Sequence, residues 1–428
     1  MTRNTLEIPR CTCRLFGTIK ALSTVKKSAI LVHGPKGCVY HINYIMGMRG
    51  DRPSAIYTTS LDEQDVIFGA EGKLSSAIEE LDQRLSPDLI FVLSCCASSI
   101  IGEDVGSACR VARARARVIG FASGGFEGDH HIAYGETLCR LAEELSQPAG
   151  TPLPGTVNLI GMLRGGPDLR ELKRVLGLAG IGVRGVLSAD ATLRDLEGLG
   201  GAALNAVVCE PAGRAAAEFL ETKFGTPFIL EDFPIGAHAA RSFLERVTSA
   251  LGIPFSPRCL AGEPGAGIRS NCATVTDKPG QPSDGPLKGT EQPVAPVSPL
   301  RVAVAGGPTR AVSMVRFLRE SGLDPVLLVV DFDSGTREKL AGTGAGDLEI
   351  LIEPSQEEIL SRLSALGVDL LIGGMAERPL AMMLGIPHID IMHGSQRTAC
   401  FSGERELSRV LGEIRANRPG KEGPRKGL

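Results

Sequence analysis

Three cysteines in the first hundred residues have the residue type and the setting for metal chemistry. They are Cys13 in CTCRLFG, Cys38 in HGPKGC and Cys96 in VLSCCASSIIGED. Each falls at a strand end or a glycine-rich turn, where the backbone is bent and exposed and a thiol gains little from packing. A thiolate-bound metal cluster needs that setting, because soft sulfur ligands must converge on it from separate loops. The three are therefore read as iron–sulfur ligands. HGPKGC directly follows the apolar run AILVH, and SCCASS directly follows LIFVL. Ligands of parallel sheets gather at the carboxyl ends of the strands. Cys38 and either Cys95 or Cys96 are expected close together on one sheet edge.

The elements that must hold these loops alternate along the chain. Ala29–His33, Leu89–Leu93 and Val118–Phe121 read as buried strands, with helical patterns at Glu71–Leu85 and Asp104–Arg115. The rhythm resumes with strands at Val157–Ile160, Gly182–Leu187, Asn205–Val208 and Pro227–Leu230, and helices near Asp168–Leu178, Pro211–Lys223 and Ala237–Leu251. A third set of strands lies at Arg301–Ala305, Val326–Val330, Leu348–Leu351, Asp369–Ile372 and His388–Ile391. Strands alternating with helices predict an α/β protein of three Rossmann-like domains with mostly parallel sheets. The domains are placed at 1–150, 151–272 and 300–415. A Pro/Gly-rich flexible linker is expected at 273–299 and a disordered tail at 416–428.

At 428 residues the chain is long enough for two or three domains. A hydrophobic content of 43% with 22% charge is that of a globular protein, and a net charge of −3 gives no reason to expect nucleic acid. No apolar stretch of about 18 residues and no apolar signal region occur, so a cytoplasmic protein without a membrane segment is expected. In a reducing compartment the eleven cysteines are metal ligands, catalysts or buried thiols rather than a disulfide framework. Gly306–Gly307 lacks the rest of a dinucleotide turn, no phosphate-binding P-loop occurs, and no residue constellation suggests a hydrolase. His33 and His41 read as structural histidines, His130 and His131 as a solvated turn, and Arg164 as a solvated loop residue. Glu103 and Asp104 read as the acidic start of a helix.

From Cys13 to Gly403 the chain resembles the nitrogenase component 1 superfamily. That superfamily includes catalytic nitrogenase subunits, cofactor-assembly scaffolds, protochlorophyllide reductase subunits and the nickel-sirohydrochlorin reductive cyclase. The most specific stretch is Cys13, 24 intervening residues and Cys38, followed by TTSLDEQDVIFGAEGKL and CASSIIGEDV. The resemblance implies a 4Fe-4S or larger iron–sulfur cluster at a subunit interface, held by Cys13, Cys38 and Cys96. Cys96 is preferred to Cys95 because it lies six residues before Gly102, as in the family; Cys11 and Cys95 are adjacent spares. Cys209, sixteen residues before Gly225, resembles the cysteine that anchors a second, large iron–sulfur cofactor, which the tetrapyrrole-reducing relatives generally lack. His393 is the candidate catalytic residue and opposite anchor. Its spacing from Pro387 is one residue longer than the family's, and the aromatic pattern that follows there is missing.

The implied function is that of an oxidoreductase subunit. It would receive electrons from an ATP-dependent iron protein through the interface cluster and reduce a bound small molecule. The alternatives are a cofactor-assembly scaffold subunit or a tetrapyrrole reductase subunit. Three cysteines leave a four-iron cluster one ligand short, so a related component 1 subunit, in a heterodimer or heterotetramer, or a second copy of this chain is the expected partner.

Overall fold

Short β-branched runs separated by amphipathic stretches bury both faces of a parallel sheet under helices. The computed structural model describes residues 13–48, 56–126, 128–263, 299–341, 348–392 and 396–417, and among them shows three such sheets. The first contains β1 (Ser28–His33), β2 (Ile56–Thr58), β3 (Leu89–Ser94) and β4 (Arg117–Phe121), in the order β2-β1-β3-β4. The second contains β5 (Leu153–Met162), β6 (Gly182–Ser188), β7 (Ala202–Val207) and β8 (Phe228–Leu230), in the order β6-β5-β7-β8. The third contains β9 (Arg301–Gly306), β10 (Asp324–Val330), β11 (Glu349–Ile352), β12 (Leu370–Gly373) and β13 (His388–Asp390), in the order β11-β10-β9-β12-β13. Every ladder is parallel. No described helix is long and apolar enough to cross a membrane.

Each strand expected from an apolar run is present, β5 extending further at both ends. The helix Glu71–Leu85 forms as expected, but Asp104–Arg115 is helical only over Val105–Val111. The physical reason is Asp82, a buried carboxylate that accepts the backbone N–H groups of Arg115 (3.0 Å) and Ala116 (2.9 Å) and draws the chain out of the helix into β4. The linker expected at 273–299 lies outside the described residues up to position 298, as do Cys11, His393 and the tail beyond 417.

The sheets share cores rather than standing apart. Phe91 and Ile30 of the first sheet pack in one cluster with Ile160, Leu187 and Val207 of the second. Leu159 and Leu204 of the second sheet share another cluster with Val302 and Val304 of the third. The last described helix, Cys400–Ala416, packs back against the helices Gly236–Ala250 and Gly166–Leu178 beside the second sheet. Near the first sheet, the helix Arg14–Leu22 meets the helix His130–Leu145 with almost no space at Gly17. A Cβ there would lie 2.0 Å from the backbone oxygen of His130. Gly17→Ala is therefore expected to lower stability by about 1–3 kcal/mol through overpacking. An unchanged urea midpoint would show that the two helices part freely.

Candidate metal centre

The edge formed by the carboxyl ends of β1 and β3 is level, because His33 pairs with Ser94 at the last rung of that ladder. Three of the thiols expected there sit at helix starts rather than in open loops. Cys13 is the N-cap of Arg14–Leu22, Cys38 lies in the first turn of Lys36–Met48, and Cys96 opens Cys96–Ile100 with Cys95 as its N-cap. The expectation of a glycine turn around Cys38 is thus corrected, since Lys36 and Gly37 already belong to the helix. A helix start offers free N–H groups and the positive end of the dipole, which favour a thiolate.

The structure brings these sulfurs together. Gly125, beyond the end of β4, donates its N–H to Cys96 Sγ at 3.2 Å. A Cβ at position 125 would lie 3.0 Å from Cys96 Sγ and 3.1 Å from Cys13 Cβ, with Cys13 Sγ in ordinary contact at 3.7 Å, so glycine here lets both cysteines approach closely. Cys13 also makes an isolated β-bridge with Asp129. On the other side, the Cys38 thiol hydrogen-bonds to Cys95, and its charge state also senses Cys96 and Cys13. That bond raises the Cys38 thiol well above its ordinary range and holds Cys95 down to about 6. Cys95 is buried and Cys38 half-buried, whereas Cys13 and Cys96 are exposed. No three described His, Cys, Asp or Glu side chains close around one point as ligands of a single ion would. An all-sulfur donor set spread around a glycine-lined edge suits a multi-iron cluster, so the residues present fit that group.

An apolar fringe surrounds this edge. Tyr40 and Tyr44 follow Cys38 along its helix, Ile100 closes the helix that Cys96 opens, and Phe126 follows Gly125; all are exposed. Ile67 and Phe68, the latter 84% exposed, end the helix Glu63–Phe68 beyond β2. Exposed apolar side chains gathered in this way mark an interaction surface. Beneath the edge, His33 is fully buried, with Nδ1 3.0 Å from Thr59 Oγ1 and Nε2 3.6 Å from Glu103 Oε2. Burial lowers its pKa, so it is a neutral strut. Glu103 also accepts the N–H of Ala70 at 2.6 Å, which makes it a tether between loops; the helix start is capped by Asp104 alone. His41 is exposed. A cavity of ≈ 640 Å³ opens nearby, lined by Arg14, Glu136 and Arg140 among others, but these charges are spent on ion pairs, Arg14 with Glu136 and Arg140 with Glu144.

Cys209 lies elsewhere, at the N-cap of the helix Glu210–Phe224, where the second sheet faces the third. Its Sγ is 3.4 Å from Thr309 Oγ1, and burial raises its pKa. Thr309, Arg310, Phe233, Phe332 and Met392 enclose with it a space of ≈ 70 Å³. Pockets for small molecules begin at about 300 Å³, so a large iron–sulfur cofactor does not fit here as the described residues stand. His131 stacks on Phe332 with ring centroids 4.1 Å apart, which corrects the solvated-turn reading. His393, the candidate opposite anchor, lies outside the described residues.

Behind this space lies a charge cluster that pattern reading missed. Asp168 is fully buried and accepts from Arg164 (2.9 Å), Arg310 (3.0 Å), Thr398 Oγ1 (2.9 Å) and the N–H groups of Thr398 (2.9 Å) and Ala399 (3.2 Å). Burial alone would raise this carboxyl, but the Arg310 and Arg164 guanidiniums and Thr398 outweigh it and hold it down to about 2. Arg164 is consequently no solvated loop residue. It also donates to the carbonyls of Ile391 (3.2 Å) and Gln396 (2.6 Å) and fixes both ends of the loop after β13. Arg310 lies over the Phe233 ring at 3.9 Å. The only signal in the sequence was a charged residue at each of three strand or helix ends.

A family model described as nitrogenase component 1 type oxidoreductase matches residues 13–413. The nitrogenase iron-molybdenum cofactor biosynthesis protein NifE of Clostridium pasteurianum is 27% identical over 405 residues, covering 91% of this chain and 83% of that protein. The nitrogenase molybdenum-iron protein beta chain of Methanococcus maripaludis is 25% identical over 419 residues, covering 89% of this chain and 86% of that one. A solved structure of nitrogenase Cp1 at pH 6.5 superposes with a TM-score of 0.78 over 99% of this chain and 98% of its own, at 19% identity, a likeness of fold alone. With its parallel α/β sheets and this match across nearly its whole length, the chain belongs to the nitrogenase component 1 type oxidoreductase family.

Proposed function

We propose that this chain is an iron–sulfur subunit of a two-component, nitrogenase-like oxidoreductase, taking electrons from an ATP-dependent iron protein to reduce a bound small molecule. The observation that carries the reading is the convergence of thiols from separate chain segments, at Cys13, Cys38 and Cys96, on one sheet edge. A bound cluster would supply one-electron transfer at low potential. The chain's own residues hold and tune it. The Gly125 N–H offsets charge on the Cys96 sulfur, as hydrogen bonds to ligand sulfur do in general. The apolar fringe of Tyr40, Tyr44, Phe68 and Phe126 excludes water once covered by a related component 1 subunit or a second copy of this chain.

A second reading, a cofactor-assembly scaffold, is supported by the likeness to NifE. Iron and acid-labile sulfide, with Mössbauer spectra, on the complex purified anaerobically with its co-expressed partner test both. A single small cluster, unaffected by Cys209→Ala, is expected for the reductase reading, with turnover dependent on the iron protein. A second spectral component that disappears in Cys209→Ala, with no turnover, would replace it by the scaffold. Absence of iron from the complex would defeat both.

A further inference from the structure

We propose that the seam between the second and third sheets is locked shut by this chain's own side chains, so that Cys209 is a buried free thiol and no large iron–sulfur cofactor is held there. The inference removes one of the two metal sites that the family resemblance implies. It stands independently of the thiols at the first sheet's edge.

The first ground is room. The space beside Cys209 is ≈ 70 Å³, and its walls are pinned from several elements. At Gly161, where φ is +76°, a Cβ would lie 2.8 Å from the Cys209 carbonyl oxygen, so β5 is already pressed against the thiol's own backbone. On the third sheet, a Cβ at Gly306 would lie 3.2 Å from Met392 Sδ. The Arg310 guanidinium covers the Phe233 ring at 3.9 Å, and His131 stacks on Phe332 with the rings 6° from parallel. The second ground is what opening would cost. Arg310 donates to Thr398 Oγ1 at 2.8 Å and to Asp168 at 3.0 Å, so moving it aside breaks the buried charge cluster. Next to Cys209, Glu210 pairs with Lys339 at 3.0 Å. Asp232 pairs with Arg316, which also donates to the Lys339 carbonyl at 2.6 Å, and the Cys400 N–H reaches the Pro234 carbonyl at 2.8 Å. Enlarging the space severalfold would part these latches together and strand a buried guanidinium. The third ground is the thiol's surroundings. Cys209 shares a hydrogen bond with Thr309, and no group of three described His, Cys, Asp or Glu side chains could hold a metal ion with it. A thiol in such a seam is a core residue.

The test labels the full chain, purified anaerobically with its co-expressed partner, with iodoacetamide across a urea series, and maps the modified cysteines by mass spectrometry. Cys259, half-buried and remote from the sheet-edge thiols, is the internal control. Cys209 is expected to react at least about 100-fold more slowly than Cys259 in the folded protein and to become labelled only through the unfolding transition. Asp168→Asn should speed the labelling of Cys209 by at least about tenfold below that transition. Where that variant does not fold, Thr398→Val, which removes one hydroxyl from the lock, serves in its place. Iron and acid-labile sulfide in Cys209→Ser, a nearly isosteric change, are expected to equal those of the wild type. Labelling of Cys209 as fast as Cys259 in the folded chain would show that the seam opens and would overturn the proposal. So would a folded Cys209→Ser protein that loses iron, since a bound cofactor would then account for the protection. Unchanged labelling in a folded lock variant would show that the charge cluster does not close the seam, and would overturn it as well. Absence of iron from the wild-type complex would defeat the cluster reading, while the labelling rates would still decide this one.

Discussion

Cys38→Ala is expected to reduce bound iron by at least about tenfold while leaving the polypeptide folded. The effect is large because Cys38 occupies the middle of the site. Its thiol bonds to Cys95, and its charge state responds to Cys96 and Cys13 as well. No neighbour can replace it: the residues beside it, Gly37 and Val39, carry no donor, and the other thiols arrive from different segments. The structural cost is small by comparison. Cys38 is half-buried, on the first turn of a helix whose apolar contacts come from Val39, Ile42 and Met46. Circular dichroism and the urea midpoint should therefore stay near those of the wild type while iron and sulfide vanish. Full iron in a folded Cys38→Ala protein would remove the basis for an iron–sulfur function. Because the exposed apolar fringe is untouched, partner association assayed alongside shows whether protein surface or cluster holds the assembly together.

Asp168→Asn is expected to destabilise the protein by about 3–5 kcal/mol, the range for removing one partner of a buried ion pair. Asparagine keeps the volume but not the charge, and so leaves the buried Arg310 guanidinium without its counter-ion. The loss propagates, because the same carboxylate holds Thr398 and Ala399, while Arg164 ties Ile391 and Gln396. Urea unfolding and limited proteolysis should both show the third sheet and the helix Cys400–Ala416 loosening from the second. The control is Arg214→Ala, which breaks an exposed i,i+4 pair with Glu210 and is expected to cost only about 0.3–0.5 kcal/mol. Acid should mimic the mutation. With the folded carboxyl at about 2 against an ordinary 3.8, its stabilisation is complete above the ordinary value and is lost as pH falls through about 2. That difference corresponds to about 2 kcal/mol. An Asp168→Asn protein within about 1 kcal/mol of wild type would mean that Asp168 does not hold the sheets together. Iron content should be unchanged, since the thiols lie on the first sheet's edge.

What the sequence determined was local. Strand and helix character follow from side-chain periodicity, which is why β1, β3, β9 and the helix Glu71–Leu85 lie where the pattern places them. A cysteine just beyond an apolar run has to emerge at a strand's carboxyl end, so the neighbourhood of Cys38 and Cys95–Cys96 was legible before any coordinates. What the tertiary structure decided was direction and long-range partnership. Only the docking of β1 against β3 shows that Cys95 turns toward Gly34 and Cys96 toward Gly125. Only the stacking of the second sheet on the third brings Asp168 to Arg310 and Thr398, across 142 and 230 residues of chain. The same stacking closes the space beside Cys209 to ≈ 70 Å³. Periodicity records which face of an element is buried but not which element covers it, and hydrogen bonds and cavities at those seams depend on the covering element.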